Sequence, residues 1–229
     1  MYRTGRQGPA NILYEYQSTR ASKHPRRFLS GFKGYLHVDG YAGYNGIPDI
    51  KLVGCFAHAR RKFTDALKAL PESAKSTKLT ANEGLDYCNK LFKIERDLKD
   101  VTTEEHYKAR LERSQPVLDA FSAWLREQKP KVLPKSALGQ AIEYCRNQWD
   151  RLVVFLEDGR LEIDNNRSER SIEPFVSADY SPTQDEGLNQ ASLFTVLWNR
   201  QRKTDYNRFI TLPICLKNSP IRIRKISIS

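Results

Sequence analysis

In the first third of the chain, apolar and polar positions alternate with a period of two. Residues 11–16 and 34–39 are β-branched or aromatic runs bounded by glycine or polar residues, and both predict strands. Between them Pro25, Leu29 and Phe32 fit a short helix, and residues 51–56 read as a third strand. From His58 the period lengthens to that of a helix. Ala59, Phe63, Ala66, Leu67 and Leu70 fall on one face with Arg60, Arg61 and Lys62 beside them, and Pro71 closes the run. Two longer amphipathic stretches follow, 80–100 and 103–128. Each opens on a threonine with an acid three positions later, Thr80 with Glu83 and Thr102 with Glu105, which predicts two capping boxes. After Pro130 and Pro134, residues 136–157 carry Leu138, Ile142, Cys145, Trp149, Leu152, Val153 and Leu156 at helical spacing and predict a third long helix. The polar run 164–170 suits a new helix start that Pro174 ends early. Beyond Val176 no period is sustained, and the closing alternation at 221–229 has no evident partner strand.

Composition narrows the class. The chain has 229 residues, 39% hydrophobic and 28% charged, the balance of a folded globular protein. Lys and Arg number 38 against 27 Asp and Glu, a net charge of +11, which favours a polyanionic partner such as nucleic acid and equally describes a solubilising surface excess. Cys55, Cys88, Cys145 and Cys215 are scattered and read as reduced thiols. Cys55 and His58 have a C-x-x-H spacing, but no second ligand pair follows, so a small buried residue beside a helix-start histidine is the simpler reading. No signal-like start and no membrane-length apolar run is present, which predicts a cytoplasmic protein.

Two carboxylates stand where chemistry could use them. Asp39 ends a predicted strand just before Gly40, a place suited either to a metal ion or to an aspartate that caps its own turn. Glu169 lies in the first turn of the short helix and could face Asp39, although its capping-box spacing from Asn166 offers a local role. Magnesium or manganese takes hard oxygen ligands, and a two-ion phosphodiester site needs several carboxylates.

The run from Gly34 to Tyr44, with Asp39 at its centre, and the run Gly54-Cys55-Phe56-Ala57-His58-Ala59-Arg60-Arg61-Lys62-Phe63 closely resemble the signature of the insertion-sequence sixty-six family of bacterial transposases. The stretch from Leu161 to Ile172, containing Asn165, Asn166 and Glu169, follows in the order that family shows. The resemblance covers about residues 1–176.

What the resemblance implies is an α/β fold: an incomplete ribonuclease-H-like sheet with a large all-helical insertion. Residues 1–70 would form the N-terminal part of the core, 71–157 the helical insertion and 158–176 the returning helix with the third acid. Residues 177–229 depart from the family's pattern, as a frameshifted tail would. Asp39 matches the second catalytic acid and Glu169 the third, both ligands of magnesium or manganese. The first acid is expected upstream of this chain, so the fragment is expected to be inactive alone. Arg60, Arg61, Lys62, Arg167 and Arg170 are the expected DNA contacts, with a solvated helix face as their bland alternative. The expected partners are DNA and other transposase chains, without a membrane. Two further readings stay open: a non-catalytic DNA-binding or oligomerisation remnant, and a nuclease that recruits Glu15 or Asp164 as a replacement acid.

Overall fold

The computed structural model describes residues 19–70 and 80–170, together with the backbone of short strands at 2–4, 12–13 and 209–211. Strand β1 (Tyr2–Thr4) pairs antiparallel with β2 (Ile12–Leu13). After α1 (Lys23–Phe28), strand β3 (Gly34–His37) pairs in parallel with β4 (Ile50–Val53). Strand β5 (Phe209–Thr211) lies between β1 and β3, antiparallel to the first and parallel to the second, so the sheet order is β2-β1-β5-β3-β4. Nothing in the local pattern announced β5, because a three-residue strand is specified by the edges it pairs with. The expected strand at 11–16 is described only at Ile12–Leu13, and the closing run 221–229 and Glu15 lie outside the described residues.

Alternation in β3 separates two cores. Leu36 and Val38 pack with Leu29, Phe32 and Ile47 on the α1 side. Tyr35 belongs with the large cluster on the opposite face. That larger cluster begins at Val53, Phe56 and Phe63 and runs on through Leu91, Phe121, Ile142, Phe155 and Ile163. One hydrophobic body therefore joins the sheet's neighbour α2 (Phe56–Lys68) to the helices that follow.

Strand β4 ends at Val53, three residues before the expected boundary, because Phe56 already opens α2. Cys55, at the N-cap, makes no side-chain cap. Instead the Phe56 amide donates to the Ile163 carbonyl at 3.0 Å, so a distant segment satisfies one of the helix's orphan N–H groups. Helix α3 (Thr80–Asp97) follows, with Thr80 as its first helical residue, and the Trp124 indole donates to Glu83 at 2.9 Å. The second box is present, with Thr102 and Glu105 bonded reciprocally at the start of α4 (Thr103–Ala109). A π-helical turn (Arg110–Ser114) then separates α4 from α5 (Gln115–Gln128), where an uninterrupted helix was expected.

The third long helix is also broken. Ser136 caps α6 (Ala137–Asn147), the chain relaxes at Gln148, and α7 (Trp149–Leu152) gives way to a 3-10 turn (Val153–Glu157). The apolar spacing is kept across these breaks, with Ile142, Cys145, Leu152 and Leu156 all buried. Periodicity reports the buried face and is blind to an axis that bends beneath it.

The π turn puts Arg110 inside the protein, fully buried. All five of its N–H donors are used. Two go to Glu95, at 2.8 and 2.6 Å, and the others to the carbonyls of Phe155, Asp158 and Leu161, at 2.8, 3.0 and 2.7 Å. His106 stands 3.2 Å from the same Glu95 carboxylate. This clamp fixes the segment that leads back to the sheet.

Candidate functional site

Four bonds join the returning segment to the β3–β4 end of the sheet. The Gly54 amide donates to the Arg151 carbonyl at 2.8 Å, and the Phe56 amide to Ile163. The buried Cys55 thiol donates to Asn165 Oδ1 at 3.0 Å. His37 Nε2 donates to the Glu162 carbonyl at 2.7 Å, and burial pushes this histidine down to about 4, so the ring is neutral. Gly54 allows the close approach: a Cβ there would sit 3.0 Å from the Leu152 backbone nitrogen.

Asp39 follows β3 in a bend where Gly40 takes φ of 94°, a left-handed conformation suited to glycine. Its Oδ1 accepts the Tyr41 amide at 3.1 Å, and its carbonyl accepts the Tyr144 hydroxyl at 3.5 Å. The turn-capping role open to Asp39 in the sequence is therefore present, carried by Oδ1.

Glu169 lies on a helical turn at 166–170. Its capping alternative is not what the structure shows. Asp164 caps this turn instead, accepting the Asn166 amide at 3.0 Å and the Asn166 side chain at 2.8 Å. Burial and neighbouring acids raise the Asp164 carboxyl above its usual range. Glu169 points toward α2: its Oε1 is 3.6 Å from His58 Nε2, and its Oε2 is 3.9 Å from an Arg61 nitrogen.

His58, a helix-start histidine by its sequence, has a larger place in the structure. It sits in the first turn of α2, one turn before Arg61 and Lys62 on the same side of the helix. Burial lowers its pKa, the charges of Glu169 and Asp39 raise it, and Arg61 and Lys62 oppose them. Both carboxylates singled out from the sequence therefore act electrostatically on one imidazole. Both His58 ring nitrogens and Glu169 Oε1 are enclosed without a hydrogen-bond partner among the described residues. Among the described residues no three His, Cys, Asp or Glu side chains converge into a metal cage. Burial pushes the Cys55 thiol up to about 12, and it donates to Asn165.

The expected DNA contacts divide into two groups. Arg60, Arg61 and Lys62 are exposed on α2; Arg60 also donates to Asn89 at 2.7 Å, and Lys62 lies over the Tyr144 ring. Arg167 and Arg170 line a cavity of about 460 Å³ together with Arg96, Lys99 and Arg160. Arg167 is bonded to Glu162 at 3.2 Å, and Arg170 is exposed. No helix among the described residues is long and apolar enough to cross a membrane.

The family model described as "Transposase IS66 family" matches residues 1–178. The uncharacterized protein y4jD of Sinorhizobium fredii (strain NBRC 101917 / NGR234) is 34% identical over 176 residues, covering 72% of this chain and 33% of that protein. The uncharacterized protein y4hP of the same strain is 31% identical over 182 residues, covering 73% of this chain and 33% of its own length. The chain thus spans about a third of the length of the curated relatives it matches. No solved structure matches.

Proposed function

This chain belongs to the IS66 family of transposases, and from that premise we propose that it is part of a ribonuclease-H-like catalytic core for metal-dependent DNA phosphodiester cleavage and strand transfer. The observation that carries the reading is that Glu169 lies 3.6 Å from His58 and that the charges of both Glu169 and Asp39, the acid that follows β3, act on that one imidazole. A parallel pair with an acid at the end of β3, beside an antiparallel hairpin, supports the sheet assignment.

Asp39 and Glu169 would hold a magnesium or manganese ion, which when bound would supply activation of the attacking oxygen and stabilisation of the leaving one. The enclosed, unpartnered Glu169 Oε1 fits a cation, and Asp39 has a carboxylate oxygen left over from its turn. Arg61 holds the outer oxygen of Glu169 and so turns the inner one toward the centre. Arg60, Arg61 and Lys62 would meet the DNA backbone, with Arg167 and Arg170 on the adjoining cavity wall, and a cytoplasmic location follows from that substrate. With two acids gathered and Asp164 spent on its cap, the chain by itself is proposed to bind DNA without cleaving it.

The test pairs two measurements on the full chain. Duplex binding followed by fluorescence anisotropy should weaken steeply with salt, and each cation removed among Arg60, Arg61 and Lys62 should lower the slope of log K against log salt by about 0.9. Supercoiled plasmid incubated with manganese should remain unnicked beyond an Asp39→Asn control. Salt-independent binding would refute the DNA interface, and nicking abolished by Asp39→Asn would show instead a working centre with a third acid supplied.

A further inference from the structure

We propose that His58 is itself a metal ligand, binding through Nε2 in partnership with Glu169, and that it tunes the centre toward manganese or zinc over magnesium. This rests on the transposase reading of the site and adds to it a nitrogen donor.

The argument begins with three enclosed polar atoms that lack partners: both ring nitrogens of His58 and Oε1 of Glu169. Buried polar atoms left so are uncommon and cost roughly 1–3 kcal/mol each, so an atom that satisfies them is to be expected between them. The spacing is compatible with a metal ion. At 3.6 Å the nitrogen and oxygen are too far apart for a good hydrogen bond to each other. A bridging water with two bonds of about 2.8 Å would have to subtend an angle of about 80° across that 3.6 Å gap, well short of tetrahedral. A metal ion with two bonds of about 2.1 Å spans the same 3.6 Å at roughly 110–120°.

The surroundings hold the pair in place. The His58 side chain is 13% exposed and fixed in the first turn of a thirteen-residue helix. Arg61 lies 3.9 Å from the other Glu169 oxygen, leaving Oε1 for the ion. Asp39 is near enough to act on the imidazole and adds negative charge. With two protein ligands at bonding separation, the remaining positions fall to water and to oxygens of DNA phosphate, as is usual where nucleic acid completes a site. Imidazole suits zinc, magnesium prefers oxygen ligands, and manganese stands between them in affinity for nitrogen, so a nitrogen here sets a preference that an all-carboxylate centre lacks.

Manganese titration of the full chain, read by pulsed electron paramagnetic resonance, tests this without reference to catalysis. A directly bound imidazole imprints a nitrogen modulation on the manganese signal. The unmodified chain should show it, and His58→Gln, which keeps much of the volume and a polar end, should lose it while binding manganese at least about tenfold more weakly. Zinc should raise the melting temperature of the unmodified chain more than magnesium does, and His58→Gln should erase that difference. Manganese held without nitrogen modulation, or a modulation that survives His58→Gln, overturns the assignment of His58 and leaves the carboxylate centre standing. Manganese held no better than by an Asp39→Asn, Glu169→Gln double variant overturns both. Should His58→Gln fail to fold, the modulation and the zinc-over-magnesium difference in the unmodified chain still decide, since absence of both refutes the proposal.

Discussion

The thiol of Cys55 and the side-chain oxygen of Asn165 meet at 3.0 Å in a fully buried bond across 110 residues of sequence. This bond latches the turn carrying Glu169 to the start of the helix carrying His58. Asn165→Ala should cost about 1–3 kcal/mol in denaturant unfolding, because it leaves a buried donor without its acceptor. The same variant should weaken manganese binding more than an equally destabilising substitution in the Leu36–Ile47 cluster. Equal effects would show that the latch does not position the centre.

Burial holds the thiols of Cys55 and Cys88 up at about 12 and raises that of Cys145 well above the ordinary range. At pH 8 they are therefore protonated and enclosed, and thiolate is the reactive form. Alkylation followed by peptide mass spectrometry should leave all three unmodified in the folded chain and modify them at once in denaturant. Rapid labelling of Cys55 in the native protein would show that the latch opens readily.

Arg110 is the largest fully buried side chain, and it spends every donor on Glu95 and on the returning segment. Arg110→Ala should destabilise the fold by about 3–5 kcal/mol, because it strands a buried carboxylate and three carbonyls. Its equilibrium unfolding should show the 155–165 region exposed first, which hydrogen exchange can read.

Burial alone would raise the pKa of Glu95, but its bonds to Arg110 and His106 outweigh that and bring it below the ordinary value of a glutamate. A carboxylate whose folded pKa is depressed contributes stability that is fully present above its unfolded pKa and is lost as pH falls through the folded one. Stability should therefore decline with acidification below about pH 4.5, and Glu95→Gln should flatten that limb of the curve while lowering the plateau above it. An acid limb unchanged in Glu95→Gln would assign the loss to other groups.

Gly54 lies where β4 passes against the backbone of α7, and an added Cβ would meet three main-chain atoms at 3.0–3.1 Å. Backbone cannot swing aside as a side chain can. Gly54→Ala should cost about 1–3 kcal/mol in thermal or chemical unfolding. A neutral result would mean that the sheet and α7 separate easily.

Sequence by itself determined the local elements and the residue types. The period-two run at β3, the helical period from Ala59, the capping box at Thr102 and the acids at Asp39 and Glu169 are legible because each depends on neighbours within a few positions. The resemblance to a transposase family was legible for the same reason, since it is carried by short contiguous runs. Tertiary structure decided which of several local options each polar residue took. Glu83 accepts a bond from the distant Trp124, Asp164 displaced Glu169 from the cap, and the π turn swung Arg110 into the core. His58 read as an ordinary helix-start histidine because nothing near it in sequence reveals a carboxylate. Glu169 reaches it only when the chain returns, and that return is set by packing and buried hydrogen bonds between segments more than a hundred residues apart.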